Sequence, residues 1–488
     1  MPSVNRTIFL VHRYLGISLG LVVTLWCLSG FVMMYVPYPE LSPEEQLAGS
    51  ADLDLDSVAC CTLPAEAEFS AIDISNAEIV SWPSGPLLFL EDTFGDQYPI
   101  DLKSGVYLAE ITKQIADENA LQYSQQFGLG SEVGFEQMIE VDQWTVYGSY
   151  STHRPLFHYI VNDGKGSRLY VSSTTGEVVL HTTRAERGWN WVGSVVHWIY
   201  PTTLRQNQTA WFWTVVILSG ISLFLCIVGV YVAICYLQIN KKGPISPFQG
   251  WGLWHHYIGL IFGLFTMTWL FSGLLSMTPF SALQGRSISA EMSVVRGDQS
   301  IFGGPFRQHL EELSQAELDS EAVRIKFVSV EGKMDALVYN RDGSALRYNP
   351  STWMPEKLND SYFQRIGQNI RPEIQIEEQG WIDQEDAYFY SRRLTPPLPA
   401  YRVIYEDGER AYFDRISGEL LYLADNARQW NRWLFTGLHS LDFWSWIRAK
   451  PVWDIIVLLL LGGVTAGAIT GTWLGCKRIY KDLRSLRT

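Results

Sequence analysis

Apolar residues along the chain are concentrated in four long runs separated by polar sequence. The runs cover positions 8–35, 209–237, 253–277 and 452–476. A helix of about 20 apolar residues is long enough to cross the hydrocarbon core of a bilayer, and each run meets that length. Two long polar segments, 36–188 and 278–430, lie between the runs. The pattern predicts a bundle of four membrane-spanning helices in two tandem halves, each half carrying one large polar domain.

The polar segments show the alternating pattern that is typical of β-strands. Near the end of each segment, two alternating stretches flank a turn that contains glycine, in LYVSSTTGEVV from Leu169 and in AYFDRISGELL from Ala411. Glycine supplies the positive φ that such turns need. We therefore expect an α+β domain with antiparallel strands in each segment. Stretches 189–208 and 431–451 are rich in aromatic residues, above all Trp, which predicts helices at the membrane surface.

The two halves repeat each other around their histidines. The motif His-x-Tyr-x-Gly-x-x-x-Gly opens the first run at His12 and the third run at His255, an offset of 255 − 12 = 243. A second pair, His197 and His439, precedes the second and fourth runs at an offset of 439 − 197 = 242. Four histidines therefore recur at matched positions beside or within the predicted spans.

Basic residues predict how the chain is oriented. The loop 238–252 contains Lys241 and Lys242 and no acidic residue, and the tail 477–488 carries five Lys and Arg residues against one Asp. By the positive-inside rule, these segments and the N-terminus are cytoplasmic and the large polar segments are external. The formal net charge of −14 argues against nucleic acid as a partner.

The histidine pairs indicate a haem cofactor. Neutral imidazole is a good ligand for haem iron, and two axial histidines give a six-coordinate centre suited to electron transfer. In the predicted orientation, His12 and His255 lie near the cytoplasmic face, and His197 and His439 lie at the outer rim. We predict two haems, with these four histidines as the metal ligands. The chain has no CxxCH motif, so covalent c-type attachment is not indicated.

Two glycines are predicted to line the inner site. Gly16 and Gly259 follow their histidines by four residues and so share the same helix face. A small residue there lets a macrocycle approach closely, or simply lets another helix pack. Both alternatives remain open, and the outer histidines could likewise form only hydrogen bonds at the level of the lipid headgroups.

Two charged or titratable neighbours complete the set of candidate cofactor-binding residues. Arg13 could pair with a haem propionate or extend to the lipid headgroups. His256 occupies the position equivalent to Arg13, beside His255. It could be an alternative ligand, a propionate partner or a surface residue.

Together these features resemble the PepSY-associated transmembrane (PepSY-TM) family. They are an N-terminal span with H-x-Y-x-G, an external domain ending in a TGE-type hairpin, a histidine before the returning span, and a basic tail. The resemblance covers essentially the whole chain as two tandem copies. It implies a bacterial inner-membrane protein with two periplasmic PepSY-like domains. Members similar to the ferrioxamine-type reductases carry two b-type haems and reduce ferric siderophores.

The predicted function is therefore electron transfer across the inner membrane to a periplasmic acceptor. The expected reaction is the reduction of a ferric siderophore or of ferric iron during iron uptake. The chain has no Walker loop, GxGxxG or HExxH motif. We thus expect the electron to come from a cytoplasmic flavoprotein or a membrane quinol. One alternative is a non-enzymatic PepSY protein that regulates periplasmic proteases, and another is an uptake accessory or transporter.

Overall fold

The computed structural model describes residues 3–55, 74–92, 94–239, 243–297, 304–313, 316, 318, 321–392 and 396–485. Lys241, Lys242 and Arg487, which contribute to the predicted orientation, lie outside these residues.

The helices and the strands are numbered in chain order. The helices are α1 Ser3–Met33, α2 Pro43–Ala48, α3 Lys113–Gln126, α4 Arg184–Val192, α5 Ser194–His197, α6 Thr202–Arg205, α7 Gln208–Cys235, α8 Trp251–Ser276, α9 Ser289–Arg296, α10 Gly304–Leu313, α11 Asp360–Asn369, α12 Asn426–Asn431, α13 Leu438–Ser440, α14 Ser445–Arg448 and α15 Val452–Ser485. Short 3₁₀ helices cover Gly148–His153 and Pro279–Ser281, and a π-helix covers Arg432–Gly437. The strands are β1 Ile74–Trp82, β2 Gly85–Asp92, β3 Gln97–Asp101, β4 Val106–Tyr107, β5 Val133–Ile139, β6 Leu156–Val161, β7 Arg168–Ser172, β8 Val178–Thr182, β9 Ala322–Val330, β10 Lys333–Asn340, β11 Ala345–Asn349, β12 Met354–Pro355, β13 Ile376–Ile382, β14 Ala400–Tyr405, β15 Arg410–Asp414 and β16 Leu420–Ala424.

Four long apolar helices form the first compact unit. The unit comprises Met1–Tyr38, Glu186–Gly285 and Asn426–Thr488. Its segments long and apolar enough to cross a membrane are Arg6–Met33, Gln208–Cys235, Trp251–Ser276 and Val452–Ser485, which confirms the four predicted helices. Helix α1 packs against α7 and α15, and α8 packs against the same two helices. Helices α1 and α8 are therefore diagonal to each other in the bundle. Helix α15 continues beyond its predicted end into the basic tail.

The second compact unit contains the polar segments, Pro39–Ala185 and Arg286–Asp425. Its strands form an eight-stranded sheet in the order β12-β11-β10-β9-β1-β2-β3-β4 and two four-stranded sheets, β5-β6-β7-β8 and β13-β14-β15-β16. The strand pairs are antiparallel, and the helices α3 and α11 contribute side chains to the cores beside the sheets. The predicted mixture of helices and antiparallel strands is thus present in both segments.

The two polar segments share one sheet, which the sequence pattern did not predict. Strand β1 of the first segment pairs with β9 of the second, with Ile79 opposite Ile325. Both isoleucines are fully buried in a core built from the two segments together. The predicted hairpins are present as β7–β8 and β15–β16, and their turns contain Gly176 at φ +70° and Gly418 at φ +72°.

Candidate functional site

The first histidine pair lies inside the helix bundle. His12 is on α1 and His255 is on the diagonally placed α8. Their ring centroids are 6.3 Å apart, and the ring planes differ by 26°. Each histidine lies towards the N-terminal end of its helix, as the repeat predicted. The structure therefore brings the two copies of the motif together.

The backbone orients both inner rings in the same way. The backbone oxygen of Leu225 lies 3.3 Å from Nδ1 of His12, and that of Gly467 lies 3.2 Å from Nδ1 of His255. Leu225 and Gly467 are themselves 242 residues apart. A carbonyl oxygen only accepts, so each Nδ1 carries the proton and each Nε2 keeps its lone pair. Among the described residues, none is hydrogen-bonded to either Nε2, which leaves this atom for a metal.

The second pair repeats this arrangement at the other level of the bundle. His197 is at the end of α5 and His439 is in α13, with ring centroids 6.1 Å apart and planes at 75°. Nδ1 of His197 lies 3.1 Å from the hydroxyl of Ser29, and Nδ1 of His439 lies 3.0 Å from that of Ser272. Each hydroxyl donates to the backbone oxygen three residues earlier, so it can accept from the imidazole. Within the described part of the chain, no hydrogen bond is found to Nε2 of either ring, so this nitrogen could bind a ligand.

The helices that carry the second pair end in a shared, unusual turn. Ile199 at φ +51° and Leu441 at φ +53° each lie two residues after the histidine. Positive φ is uncommon for residues other than glycine, and such strained residues are enriched at functional sites as well as in tight turns. The predicted surface helices at 189–208 and 431–451 are therefore broken into shorter pieces, and each break turns the chain directly after a histidine.

Burial also sets the protonation of the second pair. It lowers the pKa of the His197 imidazole, and it lowers the pKa of His439 to about 4, with the nearby His197 as a smaller cause. Both rings are consequently neutral at pH 7, which is the form that binds a metal.

Glycines lie directly beneath the inner rings. A Cβ built on Gly229 of α7 would be 2.5 Å from Cε1 of His12, and one on Gly471 of α15 would be 2.9 Å from Cε1 of His255. Any larger residue would therefore push the ring away. Sequence reasoning missed both glycines, although their spacing of 471 − 229 = 242 repeats the offset of the histidine pairs and could have identified them.

Four other glycines of the long helices border open space. The predicted pair Gly16 and Gly259 has no heavy atom within 4 Å of an added Cβ, and the matched pair Gly220 and Gly462 is equally open. The second glycine of each motif behaves differently, since Gly20 packs against Thr472 and Gly263 packs against Val230. The motif thus combines a position that leaves room with a position that packs helices.

The two remaining candidates differ in their surroundings. Both nitrogens of His256 are engaged, Nδ1 with the Ser246 hydroxyl and Nε2 with the backbone oxygen of Ala233, each at 2.8 Å. The ring is buried, so His256 is not a surface residue, and it has no lone pair left for a metal. These contacts favour a structural role over that of an alternative ligand, and the role of a propionate partner stays a prediction. The guanidinium of Arg13 lies 5.1 Å from the centre of the Phe9 ring. Pairing with a haem propionate and extension to the lipid headgroups both remain open for Arg13.

The spacing of both pairs fits two imidazoles on opposite sides of one metal ion. Imidazole nitrogen binds a metal at about 2 Å and the ring centre lies about 1 Å further, so two such rings have centroids about 6 Å apart. The observed 6.3 Å and 6.1 Å agree with this value. Among the described residues, no group of three or more His, Cys, Asp or Glu side chains could hold a metal ion. A metal ion bound by either pair would therefore need its other ligands from a cofactor, which haem would supply.

Comparison with known proteins adds no further assignment. The chain matches no protein-family model and has no significant match among curated proteins. In the described residues, the protein has four helices that could span a membrane, separate β-sheets, and two matched histidine pairs in the unit that contains these helices.

Proposed function

We propose that the protein is a haem-containing oxidoreductase of the bacterial inner membrane, of the PepSY-TM type. It moves electrons across the membrane to a periplasmic acceptor, which we take to be a ferric siderophore or another ferric complex. The observation that carries the proposal is the pair of facing histidines at each of two levels, with ring centroids 6.3 Å and 6.1 Å apart.

The protein's own groups supply what two b-type haems require. When bound, haem accepts one electron and releases it again without breaking bonds. The carbonyl oxygens of Leu225 and Gly467 and the hydroxyls of Ser29 and Ser272 accept from Nδ1 of the four histidines, so Nε2 of each would be the nitrogen that binds the haem iron. The apolar helices that carry and contact the inner rings would limit the access of water.

The spacing of the two levels supports a route across the bilayer. His12 and Ser29, which contacts His197, are 29 − 12 = 17 residues apart on α1, or about 26 Å along the helix. The apolar span of α1 runs from Arg6 to Met33, so the two levels lie near its opposite ends. Two electron carriers at these levels would cover much of the hydrocarbon thickness of about 30 Å.

The electron donor and the acceptor lie outside this chain. A membrane quinol or a reduced cytoplasmic flavoprotein releases two electrons when it is oxidised, and each ferric ion takes one to become ferrous. One donor molecule therefore serves two ferric ions, and the two protons of a quinol are released on oxidation. We place the termini and the loop 238–252 in the cytoplasm and the polar segments in the periplasm, from the positive-inside rule.

The test is a pyridine haemochromogen assay with a reduced-minus-oxidised spectrum on the full chain purified in detergent. We expect two b-type haems. His12→Ala and His255→Ala should each remove one centre, and His197→Ala and His439→Ala should remove the other. His256→Ala is the matched control and should keep both, because its ring nitrogens are bonded within the protein. A protein without haem, or ligand variants that all keep both haems, would refute the proposal.

A further inference from the structure

The two inner histidines have unequal hydrogen-bond partners. Nδ1 of His255 lies 3.2 Å from the backbone oxygen of Gly467 and also 3.1 Å from the hydroxyl oxygen of Thr470. Nδ1 of His12 lies 3.3 Å from the backbone oxygen of Leu225. The residue equivalent to Thr470, 242 positions earlier, is Val228, which has no hydroxyl. The two histidines and the glycines beside them, Gly229 and Gly471, are matched in the repeat, so this difference in side-chain chemistry stands out.

The direction of the Thr470 hydrogen bonds makes its hydroxyl an acceptor for His255. The hydroxyl donates its proton to the backbone oxygen of Gly467 at 2.9 Å, so a lone pair of the oxygen faces Nδ1. Thr470 is buried, and water does not compete for this contact. The Nδ1 proton of His255 is thus shared between two acceptors, and that of His12 has a single described acceptor.

A threonine that bonds its own helix backbone is common in membrane helices and is not by itself a functional feature. Thr268 on α8 makes the same bond, to the backbone oxygen of Phe265 at 2.9 Å. What distinguishes Thr470 is the imidazole nitrogen at 3.1 Å from its oxygen. Thr268 therefore provides a matched control within the same bundle.

We propose that Thr470 is a positioning residue that makes His255 the more strongly donating of the two inner ligands and so lowers the reduction potential of the inner haem. This inference rests on the proposed function. An acceptor at Nδ1 fixes the ring and increases the basicity of Nε2, and a more basic axial ligand favours ferric over ferrous iron. A lower potential at the inner level also favours onward transfer to the outer level.

The inference is tested by redox titration of the purified full chain, followed by its haem absorption bands. Thr470→Val keeps the shape of the side chain and removes the hydroxyl. It should raise the ratio of reduced to oxidised inner haem about fivefold at a fixed solution potential, the size expected for one neutral hydrogen bond. Val228→Thr should change the ratio in the opposite direction. Thr268→Val and Thr470→Ser should leave it unchanged, and the outer haem serves as an internal reference.

The outcomes separate this inference from the proposed function. If Thr470→Val binds two haems and its inner potential is unchanged, or if Thr268→Val shifts it equally, the role of Thr470 is refuted and the function stands. If the unaltered protein holds no haem, both fail. If Thr470→Val does not fold, Val228→Thr decides, because an unchanged potential in that variant also contradicts the inference.

Discussion

A methyl group on Gly229 should displace His12 from its partner across the bundle. The added Cβ would lie 2.5 Å from Cε1 of His12 and 3.0 Å from Nδ1. Carbon atoms in ordinary contact are about 3.5 Å apart, so the ring must retreat by about 1 Å. At the equivalent Gly471 the Cβ would lie 2.9 Å from Cε1 of His255, which requires a retreat of about 0.6 Å. The Gly229→Ala variant should therefore damage the inner site more than Gly471→Ala.

The expected size of the effect follows from the contacts that the ring loses. The hydrogen bond from Nδ1 of His12 to Leu225 is 3.3 Å long, and a further 1 Å would break it. Loss of such support for a metal-bound histidine typically weakens metal binding about 10–100-fold. Alanine is favoured over glycine inside a helix by about 1 kcal/mol, so α7 itself should not be weakened. We expect inner-haem affinity to fall by this factor and outer-haem content to be unchanged.

The measurement is haem titration of the purified variants, monitored by the absorption of each centre. Gly252→Ala is the control, because the nearest atom to its added Cβ is the Cβ of Phe248 at an ordinary 3.6 Å, and no atom of a histidine ring lies within 4 Å. Full inner-haem affinity in Gly229→Ala would refute the reasoning, as would an equal loss in Gly252→Ala.

Three other predictions concern stability and membrane association. In the β-sheet unit, the partly buried Arg324 lies between Glu78 and Glu177 and pairs with both. Arg324→Met should therefore lower the free energy of unfolding by about 3–5 kcal/mol. Lys326→Met loses a more exposed ion pair, at 3.5 Å, and should lower it by less than about 1 kcal/mol. Equal urea midpoints for the two variants would contradict this. His256→Ala should lower the melting temperature because it removes two buried hydrogen bonds, and an unchanged thermal melt would count against the structural role. The four apolar helices should hold the protein in membranes during alkaline carbonate washing, so release without detergent would argue against spanning.

The helices and the histidine pairs were predictable because both leave a strong local record. An apolar run of spanning length has few other structures available, since a backbone in lipid must satisfy its own hydrogen bonds. The constant offset between the halves predicted that His12 would match His255 and that His197 would match His439, and the structure brings each pair together. The hairpins at Gly176 and Gly418 were likewise predictable from alternation around a turn.

Long-range features were not predictable in this way. The pairing of β1 with β9 joins strands about 250 positions apart, and the alternation within each strand says which face is buried and not which strand lies beside it. The close approach of Gly229 to His12 likewise depends on how α7 packs against α1. The sequence around β1 does not indicate that β9 is its neighbour, and the sequence around Gly229 does not indicate that His12 lies against it.

The neighbours His255 and His256 show most clearly what each level of structure decides. The sequence by itself determined that a helix carries two adjacent histidines near the end of a span, and that the first one matches His12. Successive side chains on a helix point about 100° apart, so they cannot face the same partner. Only the packing of the bundle decided that His255 faces His12, while His256 is held between Ser246 and Ala233. The physical reason is that a ring's role depends on which atoms meet its two nitrogens, and those atoms belong to other parts of the chain.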